Sequence, residues 1–337
     1  MRKASLDVCR VLACMAVVLG HTGMLFWEFD PAAPAWAVYN LLCVILRSSV
    51  LLFFMVSGAL FLGREKLDFK KHMKRAGHML ALFYVWSLIC NGIDALFFHY
   101  WTPGENFWQL VLQGYFHLWF LPTMALCYCA LPLLHGLAHG NRENAERGAL
   151  LLAAIVSIVC TLKLIPDESG WLGALLKPYD LQYFRYFVMM PVGWALYQKE
   201  LSNRQLGLLG LAALSAVLLI AWANRRYSVS IGEPSARFYE DLTVSSVLTA
   251  CFVFCACKRI ETLPRRLAGF VRLFSVCSFG IYLMHPLFLD AVRSRHWDLT
   301  RYSALWLYPL CYLCFLLLPL CLTWVMLKIP GLKKLVT

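Results

Sequence analysis

Two ionisable residues interrupt the first long apolar run of the chain, Arg10 and His21, in Asp7-Val-Cys-Arg10-Val-Leu-Ala-Cys-Met-Ala-Val-Val-Leu-Gly-His21. A neutral imidazole can accept a proton at physiological pH, and a guanidinium stays charged and presents a planar fork to carboxylate or phosphate. General-base chemistry beside an anion clamp is what such a pair offers. At 3.6 residues per turn, eleven positions are three turns plus about 20°, so both side chains leave one helix face, roughly 16 Å apart along the axis. Asp7, one turn before Arg10, shares that face and can pair with it. Lipid tolerates such groups when they turn inward to a bundle or a wet cavity, where they usually act on something. The plainer alternatives are a histidine packed between helices against a carbonyl or hydroxyl, and an arginine that only locks to Asp7 at the cytoplasmic edge.

Further groups recur along the chain. Ser48-Ser49-Val-Leu-Leu-Phe53-Phe54-Met-Val-Ser57-Gly58 closes a second apolar run that carries Arg47, a full charge in need of an anionic partner or ligand. Gly58 suits close helix packing and Ser57 a hydrogen bond across helices. Phe69-Lys70-Lys71-His72-Met73-Lys74-Arg75 stands at the mouth of a third run. Its cations mark topology, attract anionic head groups, or clasp a phosphorylated cytosolic ligand. His117-Leu-Trp119-Phe120-Leu-Pro122 opens a fourth run, with a second titratable group near the depth of His21 and an aromatic residue of the kind that forms interfacial belts. Ser278-Phe-Gly280-Ile-Tyr282-Leu-Met-His285-Pro286 brings Tyr282 and His285 into a late run that Pro286 is expected to kink, freeing backbone groups to line a cavity. Asn91, Asp94, Glu240 and Asp241 are candidates to balance buried arginines, without an assigned pairing.

The elements that must hold these groups follow from composition. Of 337 residues 61% are hydrophobic and 15% charged, and the mean hydropathy is +0.64, values a solvated soluble domain does not sustain. About ten apolar segments fall near 6–27, 36–63, 78–101, 117–138, 148–165, 183–198, 206–224, 239–257, 271–292 and 304–327. The fold class expected is therefore all-α, a polytopic membrane helix bundle with about ten transmembrane helices, reading as a single domain over 1–337. Loop charge sets the orientation: of 31 Lys and Arg, about 20 lie on segments placed inside and about 8 outside, which puts both termini in the cytoplasm. The net charge of +12 is mostly topology. No basic tract interleaved with aromatics argues for nucleic acid. Met1-Arg2-Lys3 before an apolar run resembles a signal peptide but has no small-residue cleavage site after it, so it is read as a retained span. The fourteen cysteines sit mostly in apolar runs without metal-ligand spacing, so neither a disulfide framework nor a metal is expected.

Taken together the chain resembles the acyltransferase-3 family of membrane O-acyltransferases. The resemblance rests on Asp7, Arg10 and His21, on Phe53-Phe54-Met-Val-Ser57-Gly58, on the basic cluster, on His117-Leu-Trp119-Phe120 and on the run from Ser278 to Pro286. It departs at Leu51, where a proline often precedes the two phenylalanines, implying a straighter second helix, and at His72, where an arginine is common. The resemblance implies transfer of an acyl group, usually acetyl from cytosolic acetyl-CoA, to a hydroxyl of a cell-envelope sugar or glycolipid in a bacterial inner membrane. His21 would act as the base or carry the acyl group, and Arg10 would orient the donor. Lys70, Lys71, Lys74, Arg75 and Arg47 would hold its phosphates. Ser57, His117, Trp119, Tyr282 and His285 would meet the acceptor. The rival readings are an exporter that uses the buried His and Arg as a proton relay, and a non-catalytic scaffold; no internal repeat supports the exporter.

Overall fold

The computed structural model describes residues 3–26, 34–98, 106–165, 182–295 and 304–337. The sequence places its longest polar connections near 102–116, 166–182 and 225–238, on the outer side; of these, 102–105 and 166–181 lie outside the described residues. Among the described residues there are helices and no strands, the form in which a lipid-embedded backbone meets its own hydrogen-bonding needs.

The helices are α1 (Ala4–Gly23), α2 (Pro34–Leu46), α3 (Ser49–Phe61), α4 (Phe69–Ile93), α5 (Phe107–Gln113), α6 (Phe120–Gly140), α7 (Arg142–Leu162), α8 (Met189–Gln198), α9 (Asn203–Ile231), α10 (Val244–Lys258), α11 (Arg265–Arg293), α12 (Ala304–Met326) and the short α13 (Pro330–Lys333). Eight stretches among the described residues are long and apolar enough to cross a membrane. The sixth and eighth predicted segments form the shorter α8 and α10 instead. The α9 helix reaches Ile231, so Arg225 and Arg226, expected in a loop, extend its last turns. Its apolar Leu211, Leu218, Leu219 and Trp222 are more than half exposed, the inverse of a soluble helix and the pattern of a surface solvated by lipid.

The chain forms two compact units. The first comprises Met1–Ala16, Trp27–Leu67 and Leu131–Ala268, and the second Val17–Phe26, Asp68–Ala130 and Gly269–Thr337.

In the first unit α3 and α8 cross with their backbones almost touching. A Cβ on Gly58 would sit 1.8 Å from the Met190 carbonyl oxygen, and one on Gly193 2.2 Å from that of Met55. Gly58 thus has the packing role its sequence context suggested. Ser57 turns out differently: its hydroxyl donates to the Phe53 carbonyl of its own helix at 2.8 Å, not across helices, because a serine hydroxyl reaches the carbonyl one turn back without any tertiary partner.

In the second span the α-helical pattern is interrupted for two residues between Leu46 and Ser49, within a stretch, Trp36–Phe61, that is long and apolar enough to cross a membrane. At this interruption Ser48 Oγ donates to the Ile45 carbonyl at 2.7 Å and Ser49 Oγ to the Leu46 carbonyl at 2.5 Å, the local bonding that serine hydroxyls offer a helix backbone.

The second unit packs Leu82, Phe83, Trp86 and Cys90 of α4 against Leu118, Leu121, Leu283 and Met284. Gly280 lets α11 approach α12, since a Cβ there would meet Thr323 Oγ1 at 2.4 Å. Asp68 caps α4 by accepting from the Lys71 N–H at 3.0 Å.

Candidate functional site

The second unit holds three histidines together. His21 lies in the last turn of α1, which is continuous from Ala4 to Gly23. His285 lies on α11, buried, and His117 in the turns that precede α6, also buried. His21 Nδ1 is 2.7 Å from His285 Nε2. The rings are 4.9 Å apart between centroids and tilted by only 24°, close to the roughly 5 Å that an in-plane hydrogen bond between two imidazoles requires. Phe116 packs on His21 at 5.9 Å, and His117 lies 5.9 Å from His285. The chain that carries His21 is pinned nearby, where Tyr308 Oη donates to the Leu19 carbonyl at 2.8 Å.

Protonation in this group follows from what each nitrogen faces. His285 Nδ1 is 2.9 Å from the Tyr282 carbonyl and 3.1 Å from that of Ile281. Carbonyl oxygens only accept, so Nδ1 carries the proton, and in the neutral ring Nε2 carries the lone pair. His21 Nδ1 must then be the donor between the two rings, which leaves the basic lone pair of neutral His21 on Nε2.

The bond to Tyr282 has a local origin. Helix α11 continues through Pro286, which has no N–H to give the carbonyl four residues earlier. That carbonyl belongs to Tyr282, and in hydrocarbon an unmet carbonyl costs several kcal/mol. The imidazole next to the proline supplies the missing donor.

Around the pair, His117 Nε2 donates to the Leu283 carbonyl at 3.2 Å, and Tyr282 Oη donates to the His117 carbonyl. Nδ1 of His117 is buried with no hydrogen-bond partner, a cost on the order of 1–3 kcal/mol in stability. Tyr282 also packs against Phe120 at 5.6 Å, and Trp119, partly buried, against the edge of Phe120 at 6.5 Å. Tyr115, which the sequence reading passed over, donates to Asp290 Oδ2 at 2.9 Å. Burial and the Asp290 carboxylate raise its phenol well above the ordinary tyrosine range, so it remains a donor.

The basic cluster begins α4 in the same unit. Lys70, Lys71 and Lys74 are exposed and Arg75 is half-buried. Lys70 and Lys74 share one ridge and Lys71 and Arg75 the next, so four cations cover adjacent strips of helix surface. Cations in a first helical turn oppose the helix dipole, a local cost that an anionic ligand would offset. His72, within the same run, is buried and packs near the Tyr128 ring at 6.1 Å. Its position faces the interior and is not part of the cationic surface.

The other predicted site residues belong to the first unit. Arg10 pairs with Asp7 at 3.6 Å, as its spacing suggested, and the unbroken α1 keeps Arg10 and His21 on one side of that helix. Arg47, at the break before α3, meets Asp241 at 3.6 Å. Tyr186 Oη donates to the second oxygen of Asp241 at 2.8 Å, and Arg185 meets Glu240 at 3.2 Å. Glu240 and Asp241, left without assigned pairing by the sequence, are the carboxylates of this network. Asn91 instead donates to the Ser87 carbonyl of its own helix at 2.8 Å. Ser57, bonded within α3, is partly buried.

A family model, Acyl_transf_3, described as an acyltransferase domain, matches residues 3–328. The chain belongs to the acyltransferase-3 family. This acyltransferase is a multi-pass membrane protein, its family match running through all eight membrane-length helical stretches. No curated protein and no solved structure matches the chain. Within the acyltransferase, the histidine pair presents a basic nitrogen at His21 Nε2, and His117 carries a second lone pair of defined tautomer on its Nδ1.

Proposed function

We propose that this acyltransferase moves acetyl from cytosolic acetyl-CoA to a hydroxyl of a cell-envelope polysaccharide or lipid-linked sugar, in a bacterial inner membrane with both chain termini in the cytosol. The observation that carries the reading is the 2.7 Å contact from His21 Nδ1 to His285 Nε2, which leaves His21 Nε2 as the base. A sugar hydroxyl is a weak nucleophile until its proton is taken. His21 Nε2 accepts that proton as the oxygen attacks the thioester carbonyl. The carbon–sulfur bond then breaks, and the imidazolium returns the proton to the departing thiolate, so that ester and free thiol form with no net proton change. The same lone pair would carry the acetyl group in a two-step route.

Lys70, Lys71, Lys74 and Arg75 suit the phosphates of the donor. Arg10, on the His21 side of α1, orients the donor. His117 Nδ1, buried without a partner, is assigned to a hydroxyl of the acceptor, with Trp119 and Tyr282 as further contacts. The acceptor we favour, on the residues around Phe53 and His117, is a polysaccharide of the enterobacterial common antigen class.

The test uses the full chain in proteoliposomes with labelled acetyl-CoA, together with analysis of envelope glycans from cells expressing it. Thioester binding and loss of ester-linked acetate on His21→Ala, with the protein still inserted, are expected. Undiminished acetylation by His21→Ala would refute the base. Absence of any acetyl-CoA binding would favour an exporter that uses buried His and Arg as a proton relay.

A further inference from the structure

We infer that His285 is a positioning residue, and that Pro286 enables it by leaving the Tyr282 carbonyl without a backbone donor, so that His285 fixes the tautomer and ring plane of His21. The inference rests on the reading of His21 as the base, but the relay itself stands on geometry.

Three links run in sequence. Pro286 has no N–H, and the Tyr282 carbonyl takes the His285 Nδ1 proton at 2.9 Å in its place. This commits His285 Nε2 to accept, and it takes the Nδ1 proton of His21 at 2.7 Å. His21 is thereby held with Nε2 basic. A histidine without such a partner samples both tautomers and turns about its own side-chain bonds, which spreads its lone pair over several directions. Once His21 has taken a proton, its bond to His285 becomes charge-assisted and strengthens, so the partner favours the protonated state in which the nucleophile has formed. A carboxylate does this for the histidine of a serine hydrolase triad. Here a neutral imidazole does it, which suits a membrane interior where an extra buried charge is expensive.

The arrangement is economical in sequence, since Tyr282, His285 and Pro286 lie within five consecutive residues of one helix. It also explains why a proline sits in an otherwise regular, well-buried stretch of α11. An alanine there would restore the ordinary helix bond to Tyr282 and compete with the His285 proton for that carbonyl.

The experiment uses the full chain in liposomes with ring-15N histidine, His21 being identified by difference against His21→Gln, and measures acetyl transfer in membranes from cells expressing the same variants. In the unsubstituted protein His21 should show a protonated Nδ1 and an unprotonated Nε2. In His285→Leu this preference should be lost, and the rate should fall about 10²- to 10³-fold with KM for acetyl-CoA unchanged, a loss below that of a full triad carboxylate. His285→Gln, whose amide oxygen can stand where Nε2 does, should recover activity to within about tenfold. Pro286→Ala should lower the rate severalfold without lowering thermal stability. An unaltered His21 spectrum in His285→Leu would overturn the relay, as would equal losses for the Leu and Gln variants. If instead His21→Gln acetylates normally while the tautomer depends on His285, the relay stands and the assignment of the base fails.

Discussion

His21 and His285 stand 264 positions apart in the chain, yet one hydrogen bond of 2.7 Å joins their rings. Because His285 has already spent its only proton on backbone carbonyls of its own helix, the direction of that bond is determined. It gives the acyltransferase a base whose lone pair lies on a known atom.

A base of this kind works only when unprotonated. The rate of acetyl transfer at low acetyl-CoA should therefore fall as the pH is lowered, with a slope approaching one in the logarithmic profile, and level off on the alkaline side. The limb belongs to the two-histidine pair as a whole. A pH series on membrane vesicles from expressing cells measures it, and a flat profile across the histidine range would count against imidazole catalysis.

The cationic strips on α4 should act on donor binding alone. Reversing Lys70, Lys71 and Lys74 together to Glu is expected to raise KM for acetyl-CoA at least about tenfold and to leave kcat within about twofold, as loss of ground-state binding does. Added salt should raise KM of the unaltered protein in the same direction, because these lysines are exposed and screened. Comparable loss of kcat would place the cluster in the chemistry instead of the binding.

The crossing of α3 and α8 has no room for a methyl group. Gly58→Ala puts its Cβ into the Met190 carbonyl and Gly193→Ala into that of Met55, so each should destabilise the protein by about 2 kcal/mol or more. The two changes burden one crossing, and the double variant should lose less than the sum. Thermal unfolding in detergent reads both.

The Asp241 network should divide unequally. Tyr186 and Asp241 are largely buried, and a double-mutant cycle of Tyr186→Phe with Asp241→Asn is expected to give a coupling of about 1–3 kcal/mol. The Arg47 side chain is 44% exposed, and its coupling to Asp241 should stay below about 1 kcal/mol. The same unfolding measurement decides, and a dominant Arg47 term would reverse this ranking.

Much of the architecture follows from local pattern. Hydropathy runs locate the apolar helices because each must span or fill about 30 Å of hydrocarbon with its own residues. The Asp7–Arg10 pair and the common side of Arg10 and His21 follow from helical pitch alone. The glycine of Phe53-Phe54-Met-Val-Ser57-Gly58 signals a close crossing without saying which helix it meets. Local reading failed where a side chain competes for backbone groups: Ser57 bonds to its own helix and not across helices.

What the sequence determined, then, is the set of helices, the buried charges and the faces they occupy, since hydropathy and a 3.6-residue period act over a few turns. Only the tertiary structure decided the partners: Asp241 for Arg47, Met190 for Gly58, and His285 for His21. Such pairings depend on which helices become neighbours, and no local periodicity carries that information across the chain. The proline of Tyr282-Leu-Met-His285-Pro286 was visible from the start. Its effect on the proton of His285 became legible only once His21 was found on the other nitrogen of that ring.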